Sequence, residues 1–195
     1  QLITTLRQVR GHGDIARFLL ARLFYNDGLV TLFAVGGIYA KTTFGMTTAE
    51  VLQFGVGINV TAGLGAFAFA WIDDWIGSKR TILISLAGLI IVAAGVLSAE
   101  TTLAFLIWGS ALGIFVGPVQ AASRSMMAHL APQGLETEMF GLFAFSGKAT
   151  AFIGPLVFAA VTALTASQRW GMATILVFFA AGGALLFTVT DARRG

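Results

Sequence analysis

Apolar residues in this chain come in runs too long for the helices of a water-soluble domain, and polar residues gather in the short gaps between them. The pattern predicts six helices, over 15–40, 48–72, 81–98, 102–128, 135–164 and 170–189. A hydrocarbon core about 30 Å thick is crossed by about 20 apolar residues in helical form, and each run meets or nears that length. The sharpest gap is Asp73-Asp74-Trp75-Ile76-Gly77-Ser78-Lys79-Arg80. The run before it carries no charge except Glu50, and the run after it, 81–98, carries none. Eight residues cannot hold a domain, so the flanking runs must turn back on each other there.

Local signals sharpen these boundaries. Asp14 is a candidate N-cap for the first span, because a carboxylate accepts the orphan amides of a first helical turn. Residues 41–46 read as a short outer loop, after which Thr47 and Glu50 have the spacing of a capping box. Gly55, Gly57, Gly63 and Gly65 lighten the second span, and small residues permit close helix contact in lipid. Trp71 and Trp75 fall where that span leaves the hydrocarbon, as interfacial aromatics do. Ala99-Glu100-Thr101 is a minimal loop, and Pro132 marks the stop after the fourth span.

Composition turns long helices into membrane spans. The chain is 57% hydrophobic and 11% charged, whereas a soluble domain averages about 25% charged residues. Lipid is therefore the expected solvent. A net charge of +3 is too small and scattered for a nucleic-acid partner. The absence of cysteine removes disulfide and thiolate chemistry. With the Asp73–Arg80 gap placed inside, Arg7, Arg10, Arg17, Lys79, Arg80, Arg193 and Arg194 are inside and only Lys41 and Arg169 outside. That bias predicts both termini in the cytoplasm, with residues 1–14 as a lead-in, 15–190 as the membrane domain and 191–195 as a tail. The chain starts at Gln1, without a signal-peptide pattern, and reads as a segment of a longer protein.

The charged gap also carries a motif. Asp74-x-x-Gly77-x-Lys79-Arg80 between two spans resembles the signature loop of the major facilitator superfamily, with Ala70 where that family has Gly. Further stretches resemble its vacuole-effluxer-like (autophagy-related) branch and bacterial relatives. They are Phe24-Tyr25-Asn26-Asp27-Gly28, Gln120-Ala121-Ala122-Ser123-Arg124-Ser125, and Glu138-x-Phe140-Gly141-Leu142 with Gly147-Lys148. The resemblance covers nearly the whole chain. It implies an all-α integral membrane fold of six transmembrane helices, arranged as two inverted three-helix repeats, with a solute site near mid-membrane. These would be helices seven to twelve of a twelve-helix secondary transporter. Some eukaryotic members are linked to amino-acid efflux, and bacterial kinship implies an inner (cell) membrane.

The charges inside the spans agree with this division. In the superfamily the first helix of each triplet lines the cavity, here the first and fourth spans; both carry internal charge, whereas the third and sixth carry none. Intramembrane charge is costly unless paired or wet, and is functional by default. At 1.5 Å per residue, Asp27 stands roughly 18 Å and Lys148 roughly 20 Å from the inner ends of their spans. Similar depth and opposite charge predict a pair, either static or alternating with solute or proton. Arg22 and Asn26 share one helix face, and Gln120 and Arg124 repeat that spacing beside Ser123. These residues predict a positively lined vestibule for an anionic or zwitterionic group, although snorkelling to water serves Arg124 equally well.

Asp74, with Gly77, Lys79 and Arg80, and Glu138 are candidate gating residues. Asp73 reads as a solvated turn charge. Gly117-Pro118 and Gly154-Pro155 are candidate helix breaks, as hinges or as fixed kinks. Phe105, Trp108, Phe115, Met126 and Met127 read as packing or lipid-facing groups. An enzyme is disfavoured: His12 and His129 sit at span ends outside any ligand motif, and Ser110 has no histidine within its span. No metal or cofactor is implied. The expected function is the C-terminal half of a secondary active transporter for a small polar solute, coupled to a proton or ion gradient. Its expected partners are the bilayer and the N-terminal six helices. The alternative is a complete six-helix transporter or channel that pairs with a second copy of itself.

Overall fold

A computed structural model describes residues 13–190. Arg7, Arg10, Arg193 and Arg194, which enter the charge asymmetry, and His12 lie outside the described residues. The described residues form α1 (Gly13–Phe44), α2 (Thr48–Ile76), α3 (Ser78–Ser98), α4 (Thr102–Leu130), α5 (Glu136–Ala149), α6 (Ile153–Thr165) and α7 (Gln168–Phe187), with no strand among them. Taken with α5 and α6 as one interrupted span, they make six helices long and apolar enough to cross a membrane.

Two gaps close further than the hydropathy pattern suggests. Residues 41–44 continue α1, which leaves Gly45–Thr47 as the connection. Asp73–Ile76 continue α2 and Ser78–Arg80 begin α3, so the expected eight-residue turn shrinks to Gly77. Gly77 has φ 90° and ψ 152°, a backbone state essentially reserved for glycine. It lets two long helices reverse direction with one non-helical residue.

The caps are built from the expected chemistry, with one exception. Thr47 Oγ1 accepts the Glu50 amide at 3.3 Å while Glu50 Oε2 accepts the Thr47 amide at 2.7 Å, the reciprocal capping box. Asp14 is not the N-cap of α1 but lies within its first turn. Its Oδ1 accepts the Thr190 amide at 3.1 Å and pairs with Arg17 at 3.5 Å, tying the start of α1 to the end of the described chain. Lys79 Nζ donates to Phe187 O and Val189 O and so caps the C-terminal carbonyls of α7. The starts of α1 and α3 and the end of α7 therefore share one side.

The packing repeats itself in the inverted manner. α1 lies along α7 as α3 lies along α4; α2 packs on α4 as the α5–α6 span packs on α1; and α3 meets α7 across the middle. Between them sits a core that includes Phe18, Tyr25, Leu86, Val119, Met126, Met127, Ile175 and Phe179. Phe105 is buried and stacks on Phe44 at 4.6 Å, while Trp108 and Phe115 lie against Gly95 and Gly88. α2 shows Leu52, Val56, Val60, Leu64, Phe67, Trp71 and Trp75 on its exposed side.

The small residues of α2 act differently from the sequence reading. Gly55, Gly57 and Gly63 face open space, and only Gly65 makes a close approach, to Ile114 O. The α2–α4 crossing rests mainly on α4. A Cβ at Gly113 would meet Thr61 Oγ1, and one at Gly117 would meet Ala62 O, both at 1.9 Å. Thr61 Oγ1 also reaches Ser110 O at 2.9 Å across the same contact.

Candidate functional site

Three helices line a cavity of about 450 Å³ that gathers polar groups from separate spans. α1 contributes Arg22, Tyr25 and Asn26; α4 contributes Gln120, Ser123 and Arg124; α5 contributes Phe140, Phe143, Gly147 and Lys148. Six of the seven residues expected to contact solute or coupling ion thus share one cavity, the exception being Asp27.

Each wall is anchored by bonds between helices. Arg22 Nη1 donates to Phe143 O at 2.7 Å and to Ser146 Oγ at 3.0 Å, and its guanidinium carbon stands 3.5 Å from the centre of the Phe143 ring. Four residues on, Asn26 Nδ2 donates to Gly147 O at 2.9 Å. Gly147 O is one of the last four carbonyls of α5, which lack an intrahelical donor. Asn26 therefore satisfies the frayed end of a broken helix. A Cβ at Gly147 would stand 2.7 Å from Arg22 Nη1, so only glycine leaves the guanidinium its seat.

On the opposite side, Ser123 Oγ donates to Val119 O at 2.5 Å and lies 2.7 Å from Tyr25 Oη. The single serine proton is used on Val119 O, so Tyr25 is the donor to Ser123. Tyr25, Phe143 and Ser146 were not singled out from the sequence. Tyr25 is hidden among aromatic packing residues, and the other two carry no charge to betray them.

Among the described residues the cavity lining holds three cations, Arg22, Arg124 and Lys148, and no acid. Arg124 and Lys148 are exposed, and Arg22 is half-buried by its bonds to α5. Such a lining favours a solute with a negative group and supplies Gln120 and Asn26 for neutral hydrogen bonds.

The expected Asp27–Lys148 pair does not form. Asp27 is 1% exposed and makes no ion pair among the described residues, while Lys148 stands on the cavity wall. Depth along the spans did not decide the matter; angle did. Successive helical residues are about 100° apart. Asn26 therefore faces α5, whereas Asp27 turns to α6. There a Cβ at Gly154 would lie 3.2 Å from Asp27 Oδ2. The Gly154 amide is the backbone donor nearest the carboxylate, and among the described residues no group meets full hydrogen-bond geometry with either Asp27 oxygen.

The two Gly-Pro pairs differ. Gly117-Pro118 does not interrupt α4, which is continuous over Thr102–Leu130; Gly117 serves the close α2 crossing. The second break is real but lies upstream of Gly154-Pro155, at residues 150–152. Proline cannot donate to the carbonyl four residues back, and its ring crowds that group, here Ala151. Pro155 itself sits in the first turn of α6, where a donor is not needed.

The motif loop does not join the cavity. Gly77 is the turn, Lys79 caps α7, Arg80 is exposed, and Asp74 lies on the outer surface with Trp71, Ile72 and Trp75. Glu138 is exposed in the first turn of α5, where an acid suits the helix dipole. Asp73 is not a simple solvated charge: its Oδ2 accepts Ser78 Oγ at 3.3 Å and its Oδ1 is buried.

Six apolar helices packed as an inverted repeat around a cavity are consistent with half of a major facilitator fold. The family model for Atg22-like vacuole effluxers matches residues 1–195, and the chain belongs to that family. It is similar to an uncharacterized MFS-type transporter, YxiO, of Bacillus subtilis, at 26% identity over 96% of this chain and 44% of that protein. It is also similar to autophagy-related protein 22 of Candida glabrata, at 28% identity over 93% of this chain and 36% of that protein. The Cryptococcus neoformans protein of the same name is 25% identical over 88% of this chain and 33% of its own length. The chain thus spans less than half the length of these curated relatives.

Proposed function

We propose that the chain is the C-terminal half of a secondary active transporter that carries a small polar solute by alternating access, driven by a proton or ion gradient. The observation that carries this reading is the cavity between α1, α4 and α5, which among the described residues is lined by three cations, neutral hydrogen-bonding groups and no acid. The solute class that suits it bears a carboxylate, either as an anion or in a zwitterion, and amino acids are the first group to assay. The opposing wall is assigned to the N-terminal six helices of the same protein, a reading supported by the greater length of its relatives. The basic bias of the inner loops supports cytoplasmic termini, and a bacterial inner membrane is the proposed location. The role is carriage rather than catalysis.

The test is uptake by the full-length native protein in lipid vesicles, using labelled neutral, acidic and basic amino acids with and without a pH gradient. Uptake of acidic or neutral members, competed by other carboxylates, is expected. Uptake restricted to cations would sink the reading. A native chain of this length that still transports would transfer the second wall to another copy of itself.

A further inference from the structure

Asp27 is the one buried acid among the described residues, and it lies outside the cavity. It is 1% exposed, absent from the cavity lining, and among the described residues no side chain bonds either carboxylate oxygen, the Gly154 amide being the one donor beside it. Unpaired buried carboxylates are expensive, because no neighbour replaces the water they lose. The chain nevertheless places this one against the only interrupted span among the described residues. Its Oδ2 and its carbonyl oxygen both face Gly154 in the first turn of α6, and Thr31 Oγ1 bonds back to Asp27 O at 2.7 Å beside them.

Charged groups on the surrounding elements are engaged or directed elsewhere. α6 carries no ionisable side chain, and Arg169 of α7 donates to Ala99 O at 2.8 Å. On α5, Lys148 lies on the cavity wall, and Glu136 and Glu138 occupy the first turn. Arg124 of α4 lies on the cavity wall, and His129 of α4 bonds Ser125 O at 2.8 Å. On α2, Glu50 belongs to the outer capping box, and Asp73 and Asp74 to the opposite end. Within α1, Arg22 holds α5, Tyr25 reaches Ser123, Lys41 bonds Thr48, and Asp14 and Arg17 pair at the helix start; Tyr39 is buried toward the outer end.

We propose that Asp27 is the proton-binding group of the transport cycle, separate from the solute cavity, and that its protonation state sets the contact between α1 and the broken span. The step is a proton transfer alone: hydronium gives one proton to a carboxylate oxygen, leaving water and a neutral carboxylic acid. The ionised form is drawn to the positive end of α6. The neutral form loses that attraction and suits burial, so proton uptake releases α1 from α6 at residues 150–152. Lys148 ends α5 on one side of this break and faces the solute. The break is thus common to both sites. The proposal rests on the reading of the chain as half of a gradient-driven carrier and adds the coupling group to it.

The test uses the full-length native protein in lipid vesicles. Infrared difference spectra between acidic and alkaline buffer read carboxylic-acid stretches without any solute. A titrating band is expected that Asp27→Asn removes and Asp27→Glu returns at a shifted position, with the same titration in sodium and choline chloride. A spectrum untouched by Asp27→Asn overturns the proposal, as does a titration displaced by sodium, which would make this a sodium site. In the second arm, labelled alanine is followed in exchange at equal pH and in accumulation driven by a pH gradient. The ratio of accumulation to exchange is expected to collapse in Asp27→Asn, and an unchanged ratio overturns the proposal. If the unsubstituted protein moves no amino acid at all, the solute reading has failed, and the infrared arm alone decides Asp27.

Discussion

Asn26 of α1 donates to the backbone carbonyl of Gly147 at 2.9 Å, one residue before the lysine that lines the cavity. A side chain from the first span thereby finishes the end of a helix that stops in mid-membrane. The two parts of the fifth span owe their geometry to α1 as much as to their own sequence. Asn26→Ala is expected to leave this carbonyl without a donor and to destabilise the protein by about 1 kcal/mol. Thermal unfolding of the detergent-solubilised full-length protein measures it, and an unchanged profile would mean that the break stands by itself.

Gly147 and Gly141 lie on the same helix and give a matched comparison. A Cβ at Gly147 would press on Arg22 Nη1, whereas one at Gly141 meets nothing within 4 Å. Gly147→Ala should displace the guanidinium from Phe143 and Ser146 and weaken solute uptake about tenfold, the equivalent of about 1.4 kcal/mol. Gly141→Ala should transport normally. Equal rates for both variants would show that the seat of Arg22 is irrelevant to transport.

Tyr25→Phe removes the hydroxyl that donates to Ser123, yet leaves the serine its own bond to Val119 O. Because no buried donor is stranded, the expected loss is modest, about 0.5–1.5 kcal/mol. Ser123→Ala instead strands the tyrosine hydroxyl, buried with its residue at 1% exposure, and should cost more. Unfolding curves for the pair decide the order; the reverse ranking contradicts the assigned donor.

Gly77→Ala tests whether the motif glycine is a matter of backbone or of gating. At φ 90° and ψ 152° any side chain is strained, by roughly 1–3 kcal/mol. Lower thermal stability and a lower yield of folded protein are expected. Full stability with impaired transport would assign the glycine to gating instead.

The six apolar helices, the capping box at Thr47 and Glu50, and the cluster of polar residues on α1, α4 and α5 were all legible along the chain. They follow from composition and from spacing within one helix, both local properties. Charge in a lipid-solvated span also stands out without any structure, since few reasons justify it. What the chain order could not reveal is which way each polar residue points once helices pack. Asn26 and Asp27 are neighbours in sequence, yet one closes α5 on the cavity and the other is sealed against α6. Lys148 has the charge to match Asp27 but stands on another wall. The break at 150–152 precedes the proline that causes it, because a proline disturbs the carbonyl four residues back. The glycines that matter for the α2–α4 crossing belong chiefly to α4, although α2 has the more conspicuous glycine run. The sequence alone determined how many helices are long and apolar enough to cross a membrane and which polar groups they carry. Tertiary packing decided the azimuth of each group, and azimuth depends on the neighbouring helix rather than on the residue's own segment.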